Sequence, residues 1–156
     1  MEYLVDGYNL LFRIRPQPDD VEATRKELVE FLAKIPLSIR VVFDSHKESG
    51  SDLPVQSKRG NLEIIFAPRD LCADRYLLEI LSLNKKPKET TLVTSDRPLA
   101  FSAKEFGIPT LSAEDFLILA HRKLKKKKGK PLYQESDFER EELRKIFEKR
   151  LNDSGS

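Results

Sequence analysis

Short, continuous apolar runs alternate along this chain with longer stretches whose apolar residues recur at helical spacing. Runs at 3–6 ("YLVD"), 38–44 ("SIRVVFD"), 62–67 ("LEIIFA"), 90–96 ("TTLVTSD") and 108–112 ("IPTLS") read as strands. Segment 19–35 carries Val21, Leu28, Phe31, Leu32 and Ile35 at helical spacing, with acidic residues in its first turn and Pro36 to stop it. Segments 71–84, 97–107 and 113–124 read as further helices; Pro98 stands near the start of the second, Gly107 is its C-cap, and the third opens after Ser112. The polar stretch from Ser45 to Gly60 reads as a long loop. Continuous apolar strands separated by amphipathic helices imply βαβ units. The expected fold is α/β, a parallel sheet of about five strands with helices on both faces.

The tail changes character. Residues 126–135 read as a basic linker. Residues 136–151 carry a capping box (Ser136 and Glu139), then Leu143, Ile146, Phe147 and Leu151 at helical spacing. That helix is expected to pack back on a domain spanning 1–125, with a partner as the other occupant of its apolar stripe, and 152–156 is expected to be a disordered tail.

Composition bounds the setting. The 156 residues suit one domain, and 28 Lys plus Arg against 26 Asp plus Glu leave a net charge of only +2, so local clustering matters more than the total. The single cysteine, Cys72, allows no internal disulfide and suits a reducing cytosol. Residues 1–20 lack the pattern of a secretory signal, and runs such as "FLILA" are too short to span a bilayer. The expectation is a cytoplasmic protein without a membrane partner.

The chemistry suggested by the pattern sits at strand ends. In parallel sheets, ligands bind beyond the carboxyl ends of the strands, near a switch in strand order. Three strands deliver an aspartate there, Asp6, Asp44 and Asp96, and Asp74 opens the helix after the third strand. Each alone could be a helix cap, a turn residue or a first-turn acid. Together they repel one another unless cations or protons intervene, and hard carboxylate oxygens suit Mg²⁺ or Mn²⁺.

Other motifs are absent. There is no GxGxxG or GxxxxGK[ST] loop, no HExxH, no CxxC and no GxSxG. His46 reads as a polar loop residue and Cys72 as a small core residue. "DGY" lacks the second aspartate of haloacid-dehalogenase phosphotransfer, and the adjacent acidic pair of receiver domains is missing.

"LVDGYNLL", "VVFDS", "CADRYLLEI" and "LVTSDRPL" follow one another as in the NYN domain family, and the chain resembles its YacP-like branch, relatives of PIN-domain nucleases, from about residue 2 to about 125. The resemblance implies a Rossmann-like PIN/NYN fold and Mg²⁺- or Mn²⁺-dependent cleavage of RNA. Carried over by position, the site comprises Asp6, Asn9, Asp44, Asp74, Ser95 and Asp96, with Asp6, Asp74 and Asp96 as metal ligands. YacP-like sequences tend to place a glutamate one helical turn after the "AD" aspartate; here Leu78 stands there, and Glu79 lies about 140° round the helix from Asp74. Asp70 could compensate if its loop folds inward.

In that reading a metal-bound water, its pKa lowered, attacks a phosphodiester in line and leaves a 5′-phosphate and a 3′-hydroxyl. Asn9 is expected to reach a bound water or one of the acids, and Gly7 to provide a tight turn that brings backbone near the phosphate. Because the acids repel RNA, cations must hold it: Lys58 and Arg59, Arg97, and Lys123, Lys125, Lys126, Lys127 and Lys128. The leading expectation is an endoribonuclease of mRNA processing or decay acting on single-stranded mRNA, with the ribosome a further partner. The alternative is a non-catalytic RNA- or ribosome-binding module with a degenerate site.

Overall fold

The structure is a computed structural model, and it describes residues 1–44, 55–68 and 70–128. His46 and the segments 129–135, 136–151 and 152–156 lie outside the described residues, as does residues 45–54 of the stretch read as a loop. In chain order the elements are β1 (Glu2–Asp6), α1 (Gly7–Ile14), α2 (Val21–Lys34), β2 (Ser38–Phe43), β3 (Val55–Arg59), β4 (Leu62–Phe66), α3 (Ala73–Ser82), a single 3₁₀ turn (Pro87–Glu89), β5 (Thr90–Val93), α4 (Arg97–Glu105), β6 (Thr110–Leu111) and α5 (Ala113–Lys128).

The strands form one sheet in the order β3-β4-β2-β1-β5-β6. All neighbouring pairs are parallel except β3 with β4. The five expected strands are therefore present, with one antiparallel edge strand added. Successive residues of the central strands serve opposite faces. Val5, Val41, Ile64 and Val93 pack with α1, α2 and α5, whereas Leu4, Val42, Ile65 and Leu92 pack with α3 and α4. Burial on both faces explains why these strands read as unbroken apolar runs.

Helix ends follow local chemistry. The Asp20 carboxylate accepts from the Ala23 N–H and starts α2, whose C-cap Ile35 is extended ahead of Pro36. At the end of α4, Gly107 takes φ +76°. Its N–H donates to Lys104 O, and the Ile108 N–H donates to Ala103 O, the paired bonds of a Schellman motif.

Three expectations change. Residues 7–14 form a helix: Leu10, Leu11 and Ile14 bury one face of α1, and the extended residue Arg15 before Pro16 ends it. Gly7 is therefore not a turn glycine, and its φ is not in the left-handed region. A Cβ there would lie 2.5 Å from the Phe43 ring and 2.8 Å from Val42 O, so glycine is required by close packing of α1 on β2. Residues 55–59 form β3, each residue exposed and without an apolar period, joined to β4 through Gly60 at φ +61° in a two-residue hairpin. Finally, Cys72 is exposed just ahead of α3 and is not a core residue.

Candidate active site

Strand order reverses at β1: β2 and β4 lie to one side, β5 and β6 to the other. The carboxyl ends of β1 and β5 thus flank the switch point, where α/β sheets bind ligands. α1 leaves β1 directly, α3 follows β4, α4 follows β5 and α5 follows β6, so these four helix N-termini face this edge. Their positive dipole ends favour negative charge. A cavity of about 430 Å³ opens here, and Asp6, Asp44, Asp74 and Asp96 all line it with Asn9. The structure brings together the four acids expected from sequence.

Asp6 is only 6 % exposed, and its Oδ2 accepts from the Thr94 hydroxyl at 3.2 Å. Burial, chiefly, and the nearby Asp74 and Asp96 charges push its pKa up to about 7, against the pull of Thr94 and the Asn9 backbone N–H. Asp74 is also raised, first by loss of hydration on the cavity wall and then by Asp96 and Asp44. Asp44 and Asp96 each commit one oxygen to a helix. Asp44 Oδ1 accepts from the Ala73 N–H at 2.7 Å at the start of α3, and Asp96 Oδ1 accepts from the Leu99 N–H at 3.1 Å as the N-cap of α4. The capping role weighed for isolated aspartates is thus real for two of the four, and leaves each a second oxygen. Among the described residues, no three carboxylate, imidazole or thiol groups are gathered closely enough to hold one cation between them.

The side chains of Asn9 and Ser95 tie elements together, while the Asn9 N–H reaches Asp6. Asn9 Oδ1 accepts the Ser95 N–H at 2.9 Å, tying α1 to the loop after β5. Ser95 Oγ accepts from the Ala113 N–H and donates to Glu114 Oε2 at 3.4 Å; Glu114 Oε1 lies 3.6 Å from Arg13. This clamp joins α1, the β5–α4 loop and α5. Its members Glu114 and Arg13 were not foreseen, nor was Thr94, whose hydroxyl also accepts the Asp96 N–H at 3.1 Å. The hydroxyl two residues before Asp96 in "TSD" was the available signal for Thr94. Leu78 packs against the core beneath α3 and α4; Glu79 and Asp70 are exposed and are not among the cavity's lining residues, so neither supplies the carboxylate that Leu78 lacks.

The cationic candidates disperse. Arg97 is exposed at the start of α4, next to Asp96. Lys58 and Arg59 pair with Glu63 and Leu62, at the end of the sheet away from the acids and on its outer edge, so the structure does not bring them to the cavity. Lys123, Lys125 and Lys126 lie on α5, which continues through Lys127 and Lys128, so the first three residues of the expected linker are helical. By helical rise, Lys125 sits about 18 Å along α5 from Ala113.

A mostly parallel Rossmann-like sheet with carboxylates at its switch point defines a PIN-like α/β domain. The chain belongs to the YacP-like NYN domain family, whose model matches residues 3–155. Two crystal structures of Rae1 (YacP) from Bacillus subtilis share the fold. A tryptophan-to-leucine variant superposes with a TM-score of 0.64 at 21% identity, covering 82% of this chain and 79% of that one. Another Rae1 structure gives 0.61 at 21% identity, covering 83% and 78%. No curated protein sequence matches significantly. Among the described residues, no helix is long and apolar enough to cross a membrane.

Proposed function

We propose that this protein is a divalent-cation-dependent endoribonuclease, a hydrolase of RNA phosphodiester bonds acting on single-stranded mRNA in the cytoplasm. The observation that carries the proposal is the convergence of four carboxylates on one cavity at the switch point, with Asp6 raised to about 7 by burial and by its neighbours. A site this costly to ionise is relieved by a cation or a proton. The donor set is all oxygen, which suits Mg²⁺ or Mn²⁺. Such ions bind through one or two carboxylates and keep several waters, so three acids need not touch the ion directly. Of Asp6, Asp74 and Asp96, one or two would bind it directly and the rest through its waters. When bound, the cation supplies an activated water and neutralises charge on the phosphoryl oxygens.

The chain's own residues set the geometry. Thr94 holds Asp6 against Asp96, Asp44 fixes the start of α3 and hence Asp74, and the Asn9–Ser95 bond keeps α1 against the loop that carries Asp96. The expected products carry a 5′-phosphate and a 3′-hydroxyl. Leu78, half-buried against the core where the family tends to place an acid, favours a second reading, an RNA- or ribosome-binding module that does not cut.

Incubation with mixed cellular RNA separates the two. Cleavage is expected with Mg²⁺ or Mn²⁺, none with a chelator, and none by Asp96→Asn. Cleavage that persists in the chelator or in the variant overturns the proposal, and RNA binding without cleavage selects the second reading.

The lysine stretch gives a quantitative check. Replacing Lys125, Lys126, Lys127 and Lys128 with glutamine is expected to weaken RNA binding while leaving the rate at saturating RNA unchanged. Each phosphate contact on a single strand contributes a slope of roughly −0.7 to log affinity against log salt, so the variant's slope should be shallower by about 2–3. Binding titrations at several salt concentrations measure it; an unchanged slope removes this segment from the RNA interface.

A further inference from the structure

Beside the carboxylates, α1 presents two rings to the same cavity. Tyr8 and Phe12, one helical turn apart, stack with centroids 6.0 Å apart and 28° between their planes, and both line the cavity with Arg13. Tyr8 is held in place: its hydroxyl accepts from Arg25 Nη1 at 3.2 Å, and its ring meets Phe43 edge-on at 5.1 Å. Phe43 in turn stacks on Phe66 at 5.6 Å, and the Arg25 guanidinium lies 5.3 Å from the Phe66 ring centre. Phe12 is the outermost ring of this series and is 43% exposed.

An exposed phenylalanine alone is ordinary. This one stands on the wall of a carboxylate cavity and is backed by a fixed aromatic column. We propose that the Phe12 ring, supported by Tyr8, is the stacking platform for an unpaired nucleobase next to the phosphate that enters the cavity. The inference rests on the phosphodiester reading of the site. Four carboxylates repel an RNA backbone, so affinity near them must come from contacts that carry no negative charge. Stacking on an aromatic ring is one, and it is available from every base. Arg13, the next residue on α1 and anchored near Glu114, places a cation on the same cavity wall. A base already stacked inside a duplex cannot use the platform, so the platform favours single strands.

The test uses the full chain, a short single-stranded RNA carrying 2-aminopurine, and a chelator to prevent cleavage. Wild type is expected to quench the fluorophore on binding, and Phe12→Trp to retain the quench. Phe12→Leu keeps apolar bulk without the ring; it is expected to lose the quench and bind about tenfold more weakly, with an unchanged salt slope because no phosphate contact is removed. The same fluorophore base-paired in duplex RNA should show no added quench. A Phe12→Leu protein that binds and quenches as wild type does, or a wild type that gives no quench, overturns the platform. A wild type that quenches but cuts no RNA when Mn²⁺ is added leaves the platform standing and removes the hydrolytic reading.

Discussion

Asp6→Asn is expected to abolish cation-dependent cleavage and, at pH 8 without added cation, to raise the thermal midpoint. The folded protein raises the Asp6 pKa from 3.8 to about 7, so between those values the folded state binds a proton that the unfolded state does not. The stabilisation from protonating Asp6 is fully present below about pH 4 and is lost as pH rises through about 7. At pH 8 the buried carboxylate is ionised, at a cost on the order of a few kcal/mol. Asparagine removes that charge, and its amide oxygen can still accept from Thr94. A gain of several degrees follows, at roughly 2–4 °C per kcal/mol for a chain of this size. The difference between variant and wild type should shrink as the pH is lowered from 8 to 5, because Asp6 then becomes neutral by itself. Calorimetric melting across that range measures it. A variant that melts below wild type at pH 8 means Asp6 is stabilised by a partner rather than strained by its neighbours.

Gly7→Ala carries the largest expected loss of stability. By intrinsic propensity alanine would favour α1 by about 1 kcal/mol. Steric overlap outweighs that gain. The new Cβ would lie 2.5 Å from two Phe43 ring carbons and 2.8 Å from a backbone oxygen of β2. Phe43 is fully buried between Tyr8 and Phe66, so its ring has no open side toward which to turn. Overpacking of this kind costs about 1–3 kcal/mol, which at the same sensitivity lowers the midpoint by about 2–12 °C. Relief by moving α1 outward would also stretch the Asn9–Ser95 bond, so cleavage should fall even where the variant is folded. A variant that melts within a degree of wild type at unchanged activity would show that α1 does not need this close approach.

The central strands were legible because each is buried on both faces: Val41 and Val42, or Leu92 and Val93, serve opposite cores with consecutive residues. The acids were legible because they follow those strands. α1 was not, since its eight residues begin on a glycine and end at a proline-rich stretch, and its buried face rests on only a few apolar positions. β3 was hidden for the opposite reason: all five of its residues face solvent, and backbone pairing with β4 alone defines it. The roles of Asn9 and Ser95 depend on α1 meeting the loop after β5, a contact between residues 86 positions apart, so the sequence pattern marked the residues without showing that they bond to each other. Thr94 and Glu114 have the same long-range origin, whereas the Tyr8–Phe12 pair is local and was hidden with α1 itself. The basic residues show the converse. Lys58 and Arg59 looked suitable by charge, but the antiparallel direction of β3 carries them to the far end of the sheet.

Calorimetric titration of Mn²⁺ into the RNA-free protein, in buffers of different ionisation enthalpy, tests the carboxylate site most directly. Cation binding must displace the proton that Asp6 holds below about pH 7. Saturable binding is expected to release close to one proton at pH 6 and almost none at pH 8.5, with the proton release absent in Asp6→Asn. The absence of saturable binding at both pH values, or a proton release that persists in Asp6→Asn, would contradict it.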